Sequence, residues 1–298
     1  MDTIIKNTGR KDWGFLDFKI DELWKHSKGE GIKVALLDSG LNYKLSDFNN
    51  KMKITWYNAD LDSIAQADCM DDTTGHGTDC AGMLCAQGIS LFGAAPEIDL
   101  LVIRITNPKG ERTSAAILKG LEKANEMNAD VISLSFSMAK NDAYFNEIHA
   151  RIIAAFQKGC TLIAAAGDSG GLSFPVDNFP AAFPEVISVG GIDRQRRRSK
   201  TSTKSNFLRL MGPGDDLFSV FNNEKRISGT SFATPFVAGV VAILKAVAKS
   251  ENRLLTNSEL FDILEKTADK NVSGTYSPLD FGWGILDPLA ALSLLKQN

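Results

Sequence analysis

Short apolar runs of strand length recur along the chain, at residues 33–37, 99–105, 130–134, 161–165 and 186–189, and segments of helical spacing separate them. Residues 113–127 carry Ala116, Ile117, Leu121 and Ala124 on one face, and residues 142–158 carry Phe145, Ile148, Ile152 and Ala155. Strands that alternate with helices require crossover connections. Strands that read as unbroken apolar runs are buried on both faces. The predicted class is therefore α/β, a three-layer αβα arrangement with a mostly parallel central sheet. No linker or repeat divides the chain, so residues 1–298 are expected to form a single domain, with 1–12 as an N-terminal extension. Beyond residue 230 the pattern predicts a long small-residue helix over 231–250, a capped helix over 258–266 and a last helix after Asp287-Pro288.

Composition removes several function classes. With 33 Lys+Arg against 36 Asp+Glu the chain is slightly acidic, so neither nucleic acid nor a membrane surface is an expected partner. The longest apolar stretch, 236–248, is broken by Lys245 and reads as a buried helix. Charged residues occupy the N-terminus where a signal peptide needs an apolar core, which predicts a cytoplasmic site. The four cysteines have no C-x-x-C spacing, so reduced thiols are expected and no metal site is read from them. Residues 193–206, DRQRRRSKTSTKSN, are predicted to form an exposed loop, and His26 and His149 are read as surface residues.

Functional side chains of an open α/β sheet collect at the carboxyl ends of its strands. Asp38 follows the run IKVALL directly; alone, it is equally a turn former or a helix cap. His76 stands between two glycines in TTGHGTDCAGM, which suggests close backbone packing, although a helix-terminal His is the plain alternative. Ser231, in ISGTSFATPFVAG, opens a helix; there a hydroxyl can cap the helix or sit beside N–H donors able to stabilise an oxyanion.

Taken together these three segments resemble the subtilisin-like serine peptidases. The order Asp, His, Ser is the family's order. The likeness runs from about Trp13 to Leu292, through AAAG at 164–167, SFP at 173–175 and VISVGGID at 186–193. It implies the subtilisin-like fold and a serine endopeptidase acting on peptide or protein substrates, with no cofactor required. Ser231 would attack the scissile carbonyl, His76 would move the proton, and Asp38 would orient the imidazole. Substrate would add as a β-strand between Gly110, Glu111 and Arg112 on one side and Ser135, Phe136 and Ser137 on the other. A roomy S1 pocket would be lined by Ser135, Ala165, Ala166 and Gly167.

The sequence also departs from the family. Asp168 stands at the oxyanion position where the family has Asn, and in subtilisin loss of that amide costs about 10²–10³ in kcat. A protonated Asp168 would still donate a hydrogen bond, predicting weaker or acid-shifted activity. One branch of the related proprotein convertases is similar in having Asp there while remaining active. The alternative is a catalytically weak or inactive peptide-binding pseudoprotease. A hydrolase built on Cys80 or Cys160 lacks a framed His of its own. Asp47 matches one ligand of the family's structural calcium, but AQGISLFGAAP is shorter than the family's wrapping loop, so calcium is not expected there. Ser137 replaces a frequent glycine, and Asp79 a frequent second His. The segment before the domain is short, as in intracellular members, and residues 1–10 are read as a disordered terminus.

Overall fold

The computed structural model describes residues 9–48, 52–64 and 71–297. Two short helices, α1 (Trp13–Asp17) and α2 (Ile20–Leu23), precede β1 (Lys33–Asp38), β2 (Ile54–Asn58), β3 (Ser63–Ile64) and α3 (His76–Cys85). Next come β4 (Asp99–Arg104), α4 (Ser114–Glu126), β5 (Val131–Leu134), α5 (Phe145–Gln157), β6 (Thr161–Ala165) and β7 (Val186–Ile192). The chain closes with β8 (Leu210–Pro213), β9 (Leu217–Phe218), β10 (Arg226–Ile227), α6 (Thr230–Ser250), α7 (Asn257–Thr267), α8 (Pro278–Phe281) and α9 (Pro288–Gln297).

Eight strands form one sheet in the order β3-β2-β4-β1-β5-β6-β7-β8, parallel throughout except where β3 runs against β2. The alternation of side chains explains the unbroken apolar runs. Val34 and Leu36 of β1 enter a core with α3, α6 and α9, while Ala35 and Leu37 enter a second core with α4 and α5. The three-layer αβα expectation holds.

The strands extend beyond the apolar runs at the ends that matter. β1 includes Asp38, and β7 continues through Gly190 and Gly191 to Ile192. β2 and β8 were not expected: ITWYN is only half-buried and LMGP is short and contains Gly and Pro. Helix α6 lies almost wholly inside the protein, with 89% of its apolar 18-residue window buried, and its Lys245 donates to the Gly159 carbonyl at 3.0 Å. The helix caps follow the sequence: Thr113 accepts from Ala116 N–H, and Thr256 with Glu259 forms a capping box.

Three surface expectations are corrected. Within 193–206 the arginines are ion-paired, Arg196 to Asp269 at 2.7 Å and Arg198 to Asp280 at 2.9 Å. Ser199, Ser202, Thr203 and Ser205 are buried, because the β7–β8 connection crosses the sheet and its polar groups need internal partners. Thr203 N–H donates to the Gly167 carbonyl at 2.9 Å, and the Ser202 hydroxyl accepts from Gly191 N–H at 3.1 Å. His149 is half-buried, stacked on Phe183 with ring centroids 3.9 Å apart and paired with Glu185 at 3.0 Å. His26 is exposed as expected. Residues 9–12 are docked, since Gly9 and Arg10 N–H groups donate to Gly88 and Ser90 carbonyls and Asp12 is buried. The rest of the extension, residues 1–8, and Cys69 lie outside the described residues. Cys80, Cys85 and Cys160 are buried free thiols.

Candidate active site

Strand β1 is where the chain direction across the sheet reverses, with β4 and β2 on one side and β5 to β8 on the other. A crevice opens at such a switch point, beyond the carboxyl ends of the strands. Register sets its floor: Leu37 pairs with Leu134 and Leu134 with Ala164, so the next residues, Asp38, Ser135 and Ala165, stand side by side. The resulting cleft, of about 500 Å³, is lined by Asp38, His76, Ser135, Asp168 and Ser231 among others.

Helix α3 begins at His76 and brings the imidazole over Asp38, with His76 Nδ1 2.7 Å from Asp38 Oδ1. The flanking glycines make this approach possible. Gly75 has φ +82°, and a Cβ at Gly77 would stand 2.4 Å from the Gly40 carbonyl oxygen, so a side chain there would push α3 off the β1 turn. Asp38 is buried and its Oδ1 accepts from Ser39 N–H at 2.7 Å, while Oδ2 has no hydrogen-bond partner among the described residues. The Asp38 carboxylate holds the His76 pKa well above the ordinary imidazole value, with burial opposing it. The ring packs against Phe232, centroids 5.6 Å apart.

Ser231 sits in the first turn of α6, one residue inside the expected boundary because the helix starts at Thr230. Its hydroxyl donates to the Ser135 carbonyl at 3.3 Å and not to His76. Asp168 follows β6, and its carboxylate faces the start of α6, accepting from Thr230 N–H at 2.9 Å and from the Thr230 hydroxyl at 3.3 Å.

Of the expected substrate contacts, Gly110, Arg112, Ser135, Phe136, Ser137, Ala165 and Gly167 line this cleft. Two do not. Glu111 is exposed and its carboxylate accepts from the Asn107 amide at 2.8 Å, and Ala166 is buried beneath the cleft with its carbonyl on Asn178. Asp47 is buried, its oxygens accepting from Ile89 N–H at 2.9 Å, Ser90 N–H at 3.0 Å and the Ser90 hydroxyl. Asp79 is buried too and accepts from the Ser219 hydroxyl and the N–H groups of Val220 and Phe221, tying α3 to that loop.

Sequence reasoning missed Asp72. Its carboxylate accepts from Thr78 N–H and hydroxyl, both at 2.8 Å, and from Ser39, Thr74 and Gly75 at 2.9–3.1 Å. Burial works against this carboxylate, but the hydrogen bonds led by Thr78 outweigh it and hold its pKa below the usual range. Asp72 thus locks the turn carrying His76 to the turn after Asp38. An Asp four residues before a Gly-framed His is a turn signal that could have pointed to it. Cys80, which the sequence offers as a reduced thiol or as a nucleophile with no framed His of its own, stands one helical turn beyond His76; its sulfur lies 3.9 Å from His76 Nδ1 and donates to the Ser231 carbonyl at 3.3 Å.

Comparison with known proteins points to one family. The model of the subtilase family matches residues 29–284. The chain is 34% identical over 251 residues to an intracellular serine protease of Paenibacillus polymyxa, covering 82% of this chain and 76% of that one. It is 30% identical over 270 residues to thermitase of Thermoactinomyces vulgaris, covering 89% and 90%. It is 31% identical over 274 residues to the major intracellular serine protease of Bacillus subtilis, covering 88% and 84%. A parallel sheet with its crevice at the switch point and a match over most of the length have one reading: the chain belongs to the subtilase family of serine endopeptidases.

Proposed function

We propose that this subtilase cleaves peptide bonds through an acyl-enzyme on Ser231, with Asp38, His76 and Ser231 as its triad. The observation that carries the reading is the 2.7 Å contact between His76 Nδ1 and the buried Asp38 carboxylate, with Ser231 on the same cleft. Asp38 fixes the tautomer that leaves Nε2 free to take a proton. Bound substrate turns the Ser231 hydroxyl from the Ser135 carbonyl to that nitrogen. The oxygen then attacks the carbonyl carbon, and the imidazolium, stabilised by Asp38, returns the proton to the leaving amine. Water repeats the sequence to release the acid. The substrate main chain pairs with the 110–112 and 135–137 edges, and the P1 side chain enters between Ser135, Ala165 and Gly167.

Asp168 sets the rate. As a carboxylate it accepts and cannot donate, and it engages the Thr230 N–H and hydroxyl, so the oxyanion relies on the Ser231 N–H and the positive end of the α6 dipole. This favours a second reading, a domain that binds peptides and turns them over slowly. A fluorophosphonate probe, whose phosphorus is attacked by an activated serine with loss of fluoride to leave a phosphonate ester, separates the two when read by intact mass. Stoichiometric labelling abolished by Ser231→Ala supports the enzyme, and absence of labelling from pH 5 to 9 supports the binding domain.

The residues around Asp47 do not fit the family's structural calcium. Two backbone N–H groups and a hydroxyl aim their hydrogens at its oxygens, where a cation would need lone pairs. We place the enzyme in the cytoplasm, supported by the relatives named as intracellular. One sheet with a core on each face supports a single domain.

A further inference from the structure

The two rims of the cleft are joined by one side chain. Thr106 and Arg112 pair across a tight turn that Asn107 fastens, its Oδ1 accepting from Lys109 N–H at 2.9 Å and Glu111 N–H at 3.0 Å. From this turn the Arg112 guanidinium crosses the cleft mouth, donating through Nη2 to the Ser137 carbonyl at 3.0 Å, with Cζ 5.0 Å from the centre of the Phe136 ring. Its neighbour Glu111 is held by Asn107, and among the described residues no carboxylate comes within 4.0 Å of the guanidinium. Among the described residues it is the one Lys or Arg side chain lining the cleft.

We propose that Arg112 selects peptide substrates carrying Asp or Glu on the non-primed side, at P2 or P4, whose side chains share one face of the added strand. The Ser137 carbonyl lies on an edge that must accept a substrate N–H, so strand addition displaces the guanidinium from it. That displacement costs a charged hydrogen bond unless the substrate returns one. A carboxylate does so, meeting the planar fork of N–H donors in two parallel bonds. A lysine at the same place offers no acceptor and adds a like charge.

The inference rests on the strand-addition reading of this cleft, and its test separates the two. Fluorogenic peptides differing only in Glu, Gln or Lys at P2 and at P4 are compared in kcat/KM. Glu is expected to lead Lys by about tenfold or more at low salt, with the margin shrinking as ionic strength rises above about 0.1 M and the Debye length falls below about 10 Å. Arg112→Glu is expected to invert the order and Arg112→Lys to keep it with a smaller margin. A structural role for Arg112 would lower all rates together without inversion. The same peptides are titrated by fluorescence anisotropy into the Ser231→Ala protein, where no turnover intervenes. A Glu preference there without cleavage by the parent protein overturns the peptidase reading alone. Equal cleavage and binding of Glu and Lys peptides, or an order unmoved by Arg112→Glu, overturns the role of Arg112.

Discussion

Ser135 holds Ser231 at both ends: its hydroxyl donates to the Ser231 carbonyl at 2.7 Å, and its own carbonyl accepts from the Ser231 hydroxyl at 3.3 Å. The first bond has a cause in the sequence. Four residues beyond Ser231 the helix has Pro235, which carries no N–H, so the Ser231 carbonyl has no partner within α6. Ser135 and the Cys80 thiol fill that place from outside the helix. We predict that Ser135→Ala costs about 1 kcal/mol of stability and lowers kcat about three- to tenfold, with a smaller change in KM. Steady-state kinetics beside thermal melts will check it; an unchanged kcat would show that the nucleophile is held without this bond.

The Asp38–His76 pair sets opposite trends with pH. The folded-state pKa of His76 lies above its ordinary 6.5, so the pair stabilises the fold fully below that pH and progressively less as pH rises through the raised value. Catalysis needs the neutral imidazole, so kcat/KM is expected to climb with pH over the range in which stability declines. If Asp38, His76 and Ser231 act as proposed, Asp38→Asn is predicted to move the rising limb of the kcat/KM profile to lower pH and to cut kcat by roughly 10⁴-fold, the size of loss known for Ser-His-Asp triads. A limb that stays put in the variant would mean another group sets it.

In the proposed mechanism Asp168→Asn places a donor at the oxyanion position. Both side chains have the same shape, and the amide oxygen can keep accepting from Thr230 N–H while the nitrogen becomes free to donate. We predict a rise in kcat near neutral pH of about tenfold to a hundredfold, part of the full contribution of such a donor. Single-turnover acylation with an activated ester reads the chemical step directly. A fall in rate would indicate that the Asp168 carboxylate itself serves the reaction.

Asp47 should behave as an internal anchor. Excess chelator is expected to leave the melting temperature unchanged, because its carboxylate is filled by donors from Ile89 and Ser90. Asp47→Ala strands those N–H groups and is predicted to cost about 2–4 kcal/mol, lowering Tm by roughly 4–10 °C. Calorimetry with and without chelator decides; a chelator-induced drop would place a cation at this loop.

The sequence made the scaffold legible wherever a single physical demand dominated. Leu36 and Leu37 face opposite cores, so the β1 run had to be apolar throughout, and the Gly-framed His76 announced a close approach that Gly77 makes against Gly40. Strand β2 was hidden because its partly exposed outer position admits Thr55 beside Trp56, and because the buried Asn58 at its end finds partners in the N–H groups of Asp60 and Leu61. Asp72 and the grip of Ser135 on Ser231 were hidden for a different reason. Their roles depend on Ser39 and Ser231, residues far away in the chain, and only the fold brings them together. The same holds for the buried serines of 193–206, whose local composition matches that of a solvated loop.

That connection has a further consequence for a peptidase, which lives among copies of itself. Cleavage requires a segment to stretch into a strand inside a neighbour's cleft. Arg197 is on the outside, but Arg196 and Arg198 are half-buried and ion-paired, Ser199, Ser202, Thr203 and Ser205 beside them are buried, and Thr203 is tied to Gly167 at the edge of the cleft. Extending the loop would tear these groups from their partners before a bond could be cut. Self-digestion at this point is therefore coupled to opening of the active site, and a molecule that begins to be consumed here has already lost the geometry with which it would consume others.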